Sequence, residues 1–189
     1  WLPCACLGDL STPAKLATYD NWAGERFDRE WWAKLAEAGL LGVGAPEDAG
    51  GMGFGFMEAG LLAEECGRRI AAVPLVSHLA GGILPLVKFG TAEQRARLLP
   101  GAVSGELLLT AALEEGPAGD ASAPATIAVA DGDGYRLSGT RFAVPYGAQA
   151  ERVLVGARSG DGVIAVWLDP RAAGVRLDQL HDTAYEPQC

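Results

Sequence analysis

The 189-residue chain is 49% hydrophobic and 21% charged, the composition of a globular protein with enough apolar residues for a sizeable core. Its formal net charge of -9 disfavours binding to nucleic acid or to an anionic membrane, because affinity for phosphate depends on clustered Lys and Arg. No apolar run reaches the ~18 residues of a membrane span and no signal-peptide pattern opens the sequence, so we expect a cytoplasmic protein.

The four cysteines predict neither a disulfide framework nor a metal site. Cys4, Cys6, Cys66 and Cys189 are too few and too irregularly spaced for a small disulfide-rich domain. Cys4 and Cys6 lie close together, but no second pair of Cys or His follows at the spacing of a structural zinc site. We therefore expect unpaired thiols and no metal.

The first half of the chain predicts helices. Apolar residues at spacings of four, four and three indicate a first helix: Phe27, Trp31, Leu35 and Ala38. Asp28 is placed to cap its start and Gly39 to end it. A second helix is expected to place four apolar residues on one side: Phe54, Met57, Leu61 and Leu62. Between these helices, residues 41–55 contain six glycines and one proline, which predicts a loop.

A third helix is expected over residues 73–88, apolar nearly all round and kinked at Pro85. His78 lies in this segment, and we interpret it as a packed residue rather than a catalyst. Thr91 and Gln94 have the spacing of a capping box for a fourth helix, and Pro100 with Gly105 is expected to end the helical half.

The second half predicts strands. Short apolar runs separated by Asp and Gly turns occur at residues 107–113, 126–130, 135–137, 141–144, 152–157 and 163–168. This spacing favours an antiparallel sandwich or barrel. We therefore expect an α+β protein with a helical domain over residues 1–106 and a β-domain over residues 107–189. Because strands do not alternate with helices, a doubly wound nicotinamide-binding fold is excluded.

Four stretches, taken in order, resemble the acyl-CoA dehydrogenase family. Residues 31–53 resemble its "Gly-Leu … Pro-Glu … Gly-Gly-x-Gly" pattern, and residues 89–106 resemble "Phe-Gly-Thr-x-x-Gln … Leu-Pro … Ser-Gly-Glu". Residues 111–120 stand where the family has "Thr-Glu-Pro-x-x-Gly-Ser-Asp". Residues 139–150 align without a gap to "Gly-x-Lys-x-Trp-Ile-Thr-Asn-Gly-x-x-Ala".

The resemblance implies an FAD-containing oxidoreductase of lipid metabolism that desaturates acyl-CoA thioesters. It also implies a homo- or hetero-oligomer with another subunit of this family. In that family a helical bundle follows the β-domain and usually supplies the catalytic Glu. The sequence ends at Cys189, before such a bundle, so we assign no catalytic residue and expect no turnover from this chain alone.

The resemblance also implies where FAD would touch the chain. The cofactor-binding candidates are Leu113, Glu114, Gly119, Asp120, Ala143, Val144 and Pro145. Ala143 replaces the family's flavin-stacking Trp, and Pro145 replaces a Thr that offers its hydroxyl and N–H to the ring. Glu114 replaces a flavin-contacting Thr of the family, and Asp120 replaces a Ser.

Further alternatives concern individual side chains and the protein as a whole. Glu114 and Glu115 could equally lie at a solvated strand end or contact the flavin. Arg141 is expected to cover a strand edge. Three hypotheses for the whole protein follow. The first is an FAD-dependent acyl-CoA dehydrogenase, the second is a partner subunit without a productive flavin, and the third is a helical-plus-β binding module.

Overall fold

The computed structural model describes residues 11–19, 26–116, 119–160, 162–180 and 187–189. The helices are α1 (Pro13–Ala17), α2 (Arg29–Glu37), α3 (Phe56–Arg68), α4 (Leu75–His78), α5 (Leu84–Phe89) and α6 (Ala92–Val103). The strands are β1 (Leu109–Ala112), β2 (Ile127–Asp131), β3 (Gly134–Ser138), β4 (Arg152–Ser159) and β5 (Gly162–Leu168). Helices therefore precede strands, and the predicted α+β class is confirmed. Cys4 and Cys6 lie outside the described residues.

Helix α2 forms where the apolar spacing predicts it. The Asp28 carboxylate accepts hydrogen bonds of 3.1 Å from the N–H groups of Glu30 and Trp31, which satisfies donors at the helix start. Gly39 follows the helix with a φ of 71°, a left-handed conformation that favours glycine. Phe27, Trp31 and Leu35 of the predicted stripe are buried, whereas Ala38 at the end of the helix is exposed.

Helix α3 buries a different face from the one predicted. Phe54, Met57 and Leu61 are exposed, and of the predicted stripe only Leu62 is buried. The buried residues of this helix are Ala59, Leu62 and Cys66, at spacings of three and four. Large apolar side chains at the start of the helix project away from the body of the protein, so hydrophobicity alone indicated the wrong side.

The third helical segment is interrupted rather than regular. A π-helical stretch, Leu79–Ile83, joins α4 to α5 immediately before Pro85. Proline has no N–H to donate to the preceding turn, which accounts for an irregularity at the expected place. His78 is fully buried, as expected of a packed residue. Among the described helices, none has the length and apolar character to cross a membrane.

Helix α6 begins with the predicted capping box. Thr91 accepts a hydrogen bond of 3.1 Å from the Gln94 amide, and the Gln94 side chain accepts one of 2.9 Å from the Thr91 amide. The expectation that Pro100 helps to end the helical half is wrong, because the helix continues through it to Val103. The left-handed turn falls at Gly105, with a φ of 77°.

The strands form one mixed sheet, which corrects the antiparallel prediction. Strand β4 pairs parallel with β1 and, at its far end, parallel with β2, while β5 pairs antiparallel with its other side. Strands β2 and β3 form the predicted antiparallel hairpin. In the described part of the chain the sheet is an open path in the order β1-β4-β2-β3. A long connection separates β1 from β4, and such a crossover permits parallel pairing that strand spacing cannot reveal.

The expected strand over residues 141–144 is absent from the described sheet. Phe142 makes only an isolated bridge with Glu114, and Ala143 has a φ of 50°. An alanine in the left-handed region cannot continue a strand. This segment is therefore a loop that crosses the end of β1.

The helical half and the sheet share one hydrophobic core, joined at His78. The His78 Nδ1 atom accepts a hydrogen bond of 3.2 Å from the Leu109 amide in β1. Its Nε2 atom therefore carries the proton and donates to the Ala102 carbonyl of α6 at 3.0 Å. The Trp32 ring packs edge-on against the imidazole, with the centroids 5.0 Å apart. One neutral side chain thus connects α4, α6 and β1.

We predict that His78 makes stability depend on pH. Burial lowers the pKa of His78 to about 4 from an ordinary value of 6.5, so the unfolded chain binds more protons between these values. The free energy of unfolding should be highest above pH 6.5 and fall by about 3 kcal/mol as the pH drops to 4. Urea denaturation across this range measures the slope.

Two substitutions separate this titration from simple packing. His78→Leu leaves the Leu109 amide and the Ala102 carbonyl unpaired and should cost about 2–4 kcal/mol at pH 7. His78→Gln retains a donor and an acceptor and should cost less. In both variants the free energy of unfolding should lose the pH dependence that His78 produces. An unchanged pH dependence in both would show that another residue causes it.

A second prediction concerns the contact of the π-helical stretch with β1. A Cβ atom at Gly82 would lie 2.4 Å from the Cβ of Leu109, so Gly82→Ala should force the helix away from the strand and cost about 1–3 kcal/mol. Gly60→Ala is the matched control, because a Cβ there meets nothing within 4 Å and should stabilise α3 by about 0.5–1 kcal/mol. Thermal unfolding compares them, and equal midpoints for the two variants would contradict the contact.

Candidate functional site

The candidate site lies where β4 changes its parallel partner. Strand β4 pairs with β1 up to Val155 and with β2 at Arg158. The chain leaves β1 at Leu113 and crosses back over its end at residues 141–145. We call these two segments, residues 113–116 and 141–145, the rim of the interval where β1 and β2 separate along β4.

The structure brings the first two sequence-predicted residues, Leu113 and Glu114, next to this crossing segment. The Phe142 amide donates a hydrogen bond of 3.0 Å to the Glu114 carbonyl, and the two residues form an isolated bridge. Leu113 is 62% exposed although it directly follows a buried strand. Glu114 is exposed as well, which matches the solvated alternative. The rim therefore presents an apolar side chain and a carboxylate to the surroundings.

Residues 143–146 are held from several sides. The Val144 amide donates to the Cys189 carbonyl at 2.8 Å, and the Cys189 amide donates back at 3.2 Å. The Pro145 carbonyl accepts a hydrogen bond of 2.8 Å from the Thr110 hydroxyl. The Tyr146 hydroxyl donates to the Arg26 carbonyl at 3.2 Å, which connects the loop to the helical half.

The same loop has an unusual backbone. Ala143 and Tyr146 have φ values of 50° and 51°. Non-glycine residues rarely adopt this left-handed conformation, and clusters of such residues are more frequent at functional sites than elsewhere. The surrounding hydrogen bonds hold the loop in this shape. Neither of these two positions is a glycine, so the sequence did not signal the left-handed turns.

Gly119 and Asp120 belong to a separate turn. The Gly119 amide donates to the Gly116 carbonyl at 3.0 Å, and the Asp120 carboxylate accepts from the amide and hydroxyl of Ser122 at 2.8 and 2.7 Å. These Ser122 hydrogen bonds lower the pKa of Asp120, so its carboxylate is negatively charged at neutral pH. The hydrogen bonds of both residues lie within positions 116–123, and none of them reaches residues 143–145.

Glu115 is the residue that the sequence interpretation missed. Its side chain is 8% exposed and accepts from Arg141 at 2.9 Å, so it is neither solvated nor free to touch a cofactor. A hydrogen bond from the Thr126 hydroxyl, with others from the Ala125 and Thr126 amides, lowers the pKa of Glu115 to about 2. Arg141 covers a strand edge as expected. Nothing in the spacing of two residues 26 positions apart signals such a pair.

Val144, Gly119 and Pro145 therefore offer no free main-chain donor in this arrangement. The N–H groups of Val144 and Gly119 are already engaged by Cys189 and Gly116, and proline has none. Glu114 contributes an exposed carboxylate to the rim, whereas the Asp120 carboxylate lies in the separate turn. Such a rim can accept hydrogen bonds and carries negative charge. The assignment of the seven residues to a cofactor stays a prediction.

Comparisons with known proteins identify the family. The model of the acyl-CoA dehydrogenase N-terminal domain matches residues 12–106. FadE27 of Mycobacterium tuberculosis, named an acyl-CoA dehydrogenase, is 37% identical over 159 residues, which cover 84% of this chain and 42% of that protein.

Solved structures share the fold. A structure titled "Tcur3481-Tcur3483 steroid ACAD G363A variant" contains a chain that is 41% identical with a TM-score of 0.89, covering 99% of this chain and 51% of that one. A chain of the ChsE4-ChsE5 complex from Mycobacterium tuberculosis is 31% identical with a TM-score of 0.80, covering 100% and 57%.

The chain thus spans about half the length of the proteins that it matches. Its helical half matches the family model, and its sheet superimposes together with that half on family structures. The family is generally FAD-dependent, and its members are oxidoreductases of lipid metabolism. From the matching domain and these relatives, we conclude that this chain belongs to the acyl-CoA dehydrogenase family.

Proposed function

We propose that this chain is part of a partner subunit in a heteromeric acyl-CoA dehydrogenase, and that this subunit has no productive flavin site. It would help to form the enzyme and its acyl-CoA pocket while another subunit holds the FAD. The carrying observation is the loop at Ala143 and Pro145, which lacks the groups that the family uses at the flavin ring.

The chemistry of these two residues does not fit an isoalloxazine held in the family's way. Ala143 has no ring to stack against an isoalloxazine. Pro145 has no N–H, and its carbonyl is already used by the Thr110 hydroxyl. The neighbouring Val144 amide bonds to Cys189 and cannot replace the missing donor.

Charge at the rim argues in the same direction. Glu114 is exposed there, and Asp120, which the Ser122 hydrogen bonds keep ionised, adds negative charge in the separate turn beyond residue 116. A carboxylate beside a cofactor that gains electrons would disfavour its reduced, anionic form, because like charges repel. In the family pattern these positions carry neutral hydroxyl residues.

The relatives support a heteromeric assembly. One similar solved structure is a ChsE4-ChsE5 complex, and another is titled as a steroid ACAD with two components, Tcur3481 and Tcur3483. By analogy, we propose a second acyl-CoA dehydrogenase subunit as the partner and a steroid-derived acyl-CoA as the ligand class.

A second candidate is that the complete protein binds FAD through altered contacts and itself catalyses α,β-desaturation of an acyl-CoA. Its support is the 37% identity to FadE27, which is named an acyl-CoA dehydrogenase. No residue of this chain is assigned as the base in either proposal.

We predict that the full-length protein, purified by itself, contains far less than one flavin per chain. Its visible spectrum and a protein assay measure the ratio of flavin to protein chain. Addition of FAD followed by gel filtration tests whether flavin was only lost during purification. Retention of one FAD per chain after gel filtration would reject the partner-subunit proposal in favour of the second candidate.

Substitutions at Pro145 test the proposed cause. Pro145→Ala restores a main-chain N–H, and Pro145→Thr restores both the N–H and a hydroxyl. Because one hydrogen bond is worth about 0.5–1.5 kcal/mol net, each restored group should raise FAD affinity by roughly three- to tenfold in a fluorescence titration. Identical weak affinity in wild type and both variants would show that Pro145 is not what limits flavin binding.

A further inference from the structure

A gap in the hydrogen-bond ladder of β4 lies directly beneath the candidate site. Strand β4 has β1 as its partner up to Val155 and β2 only from Arg158, while β5 pairs with its other edge throughout this stretch. The Gly156 carbonyl points to the interval between β1 and β2, where no strand supplies the partner that a buried main-chain group needs. Side chains take over that role.

Arg141 supplies donors on one side of the gap. Its Nη2 atom donates to the Gly156 carbonyl of β4, and its Nη1 atom lies 3.5 Å from the Leu113 carbonyl at the end of β1. A Cβ at Gly156 would lie 4.0 Å from Nη2, an ordinary van der Waals distance, so this contact does not require a glycine. Arg141 therefore joins two strands that have just separated.

Glu115 supplies acceptors on the other side. Its Oε2 atom accepts a hydrogen bond of 2.6 Å from the Ala125 amide, and its Oε1 atom accepts from the Thr126 amide and hydroxyl at 2.9 and 2.7 Å. The Thr126 carbonyl in turn accepts from the Arg158 amide at 2.8 Å, which begins the pairing of β2 with β4. Glu115 thus fixes the place where β2 starts.

The two side chains form one unit. Arg141 Nη2 lies 2.9 Å from Glu115 Oε1, and the side chains are only 10% and 8% exposed. The pair is not optimised for stability alone, because the Nε atom of Arg141 is buried without a hydrogen-bond partner within the described residues. A buried ion pair with an unsatisfied donor is expected where the pair holds chain segments in a particular arrangement at some cost in stability.

We propose that the Glu115–Arg141 pair positions the two rim segments, residues 113–116 and 141–145, and so sets the shape of the acyl-CoA-facing surface where β1 and β2 separate. This inference rests on the proposed function in one respect, that the rim faces an acyl-CoA ligand. Neither residue touches the ligand in this proposal. Both are positioning residues that act through Leu113, Phe142 and Thr126.

Hydrogen exchange of the full-length protein tests the positioning directly. Glu115→Gln puts an amide NH₂ opposite the Ala125 amide, and should speed exchange in peptides covering 113–126 and 139–147 by at least about tenfold, equivalent to roughly 1.4 kcal/mol of local protection. Arg141→Lys keeps the charge but loses the planar fork, so exchange should rise more around residues 113 and 142 than at 125–126.

Asp131→Asn is the matched control. It removes an exposed ion pair with Arg136, at 3.3 Å, from the same sheet and should leave exchange in both rim peptides unchanged. Peptides covering β4 and β5 report on global loosening. Unchanged exchange in the Glu115→Gln rim peptides, or an equal increase throughout the sheet, would overturn the positioning role.

Ligand binding forms the second arm. In the full-length protein assembled with its partner subunit, Glu115→Gln should raise the KM for a steroid-acid CoA thioester, cholanoyl-CoA, by about tenfold with kcat nearly unchanged, while Asp131→Asn changes neither. If both rim peptides loosen but KM does not move, the pair positions the rim and the proposed acyl-CoA contact is wrong. If the rim peptides do not loosen, the positioning inference fails whatever the ligand.

Discussion

The structure depends on the bridge that His78 makes between two kinds of secondary structure. Its neutral imidazole accepts a hydrogen bond from a strand amide and donates one to a helix carbonyl. Two buried main-chain groups from different halves of the chain therefore find their hydrogen-bond partners in one ring. Removal from water favours the neutral form that this geometry requires. The close approach of Gly82 to Leu109 then lets the π-helical stretch lie against β1. Helices and sheet consequently share one core.

With β1 fixed against the helices, the rest of the sheet is arranged around β4. That strand takes β1 and then β2 as successive parallel partners on one side, and β5 on the other. The exchange of partners leaves an interval between β1 and β2, and the buried pair of Glu115 and Arg141 supplies hydrogen bonds there that a continuous ladder would have made. The candidate site is a consequence of this topology.

The loop of residues 141–145 shows why membership of the family does not by itself determine whether this chain binds a flavin. The family defines how the backbone runs from β1 to β4. Whether a flavin is held depends on a few atoms, and here Pro145 has no N–H while Ala143 has no aromatic ring. A fold can persist after the groups that served a cofactor have been replaced, since packing and main-chain pairing do not require them.

The sequence by itself determined the features that depend on neighbouring residues. The Asp28 cap, the capping box of Thr91 and Gln94, and the β2–β3 hairpin were all predictable, because each arises from side chains and turns within a few positions. The four family-like stretches likewise located the rim residues. The exposed side of α3 was predicted incorrectly, because hydrophobicity does not say which face meets the core.

Only the tertiary structure decided the features that join distant parts of the chain. Parallel pairing of β1 with β4, the ion pair of Glu115 with Arg141, and the bridge of His78 all link residues far apart in sequence. Their partners are chosen by packing and by the need to satisfy buried polar groups, and neither leaves a periodic signal in the sequence. Local pattern therefore determined the elements, whereas long-range hydrogen bonding determined the site.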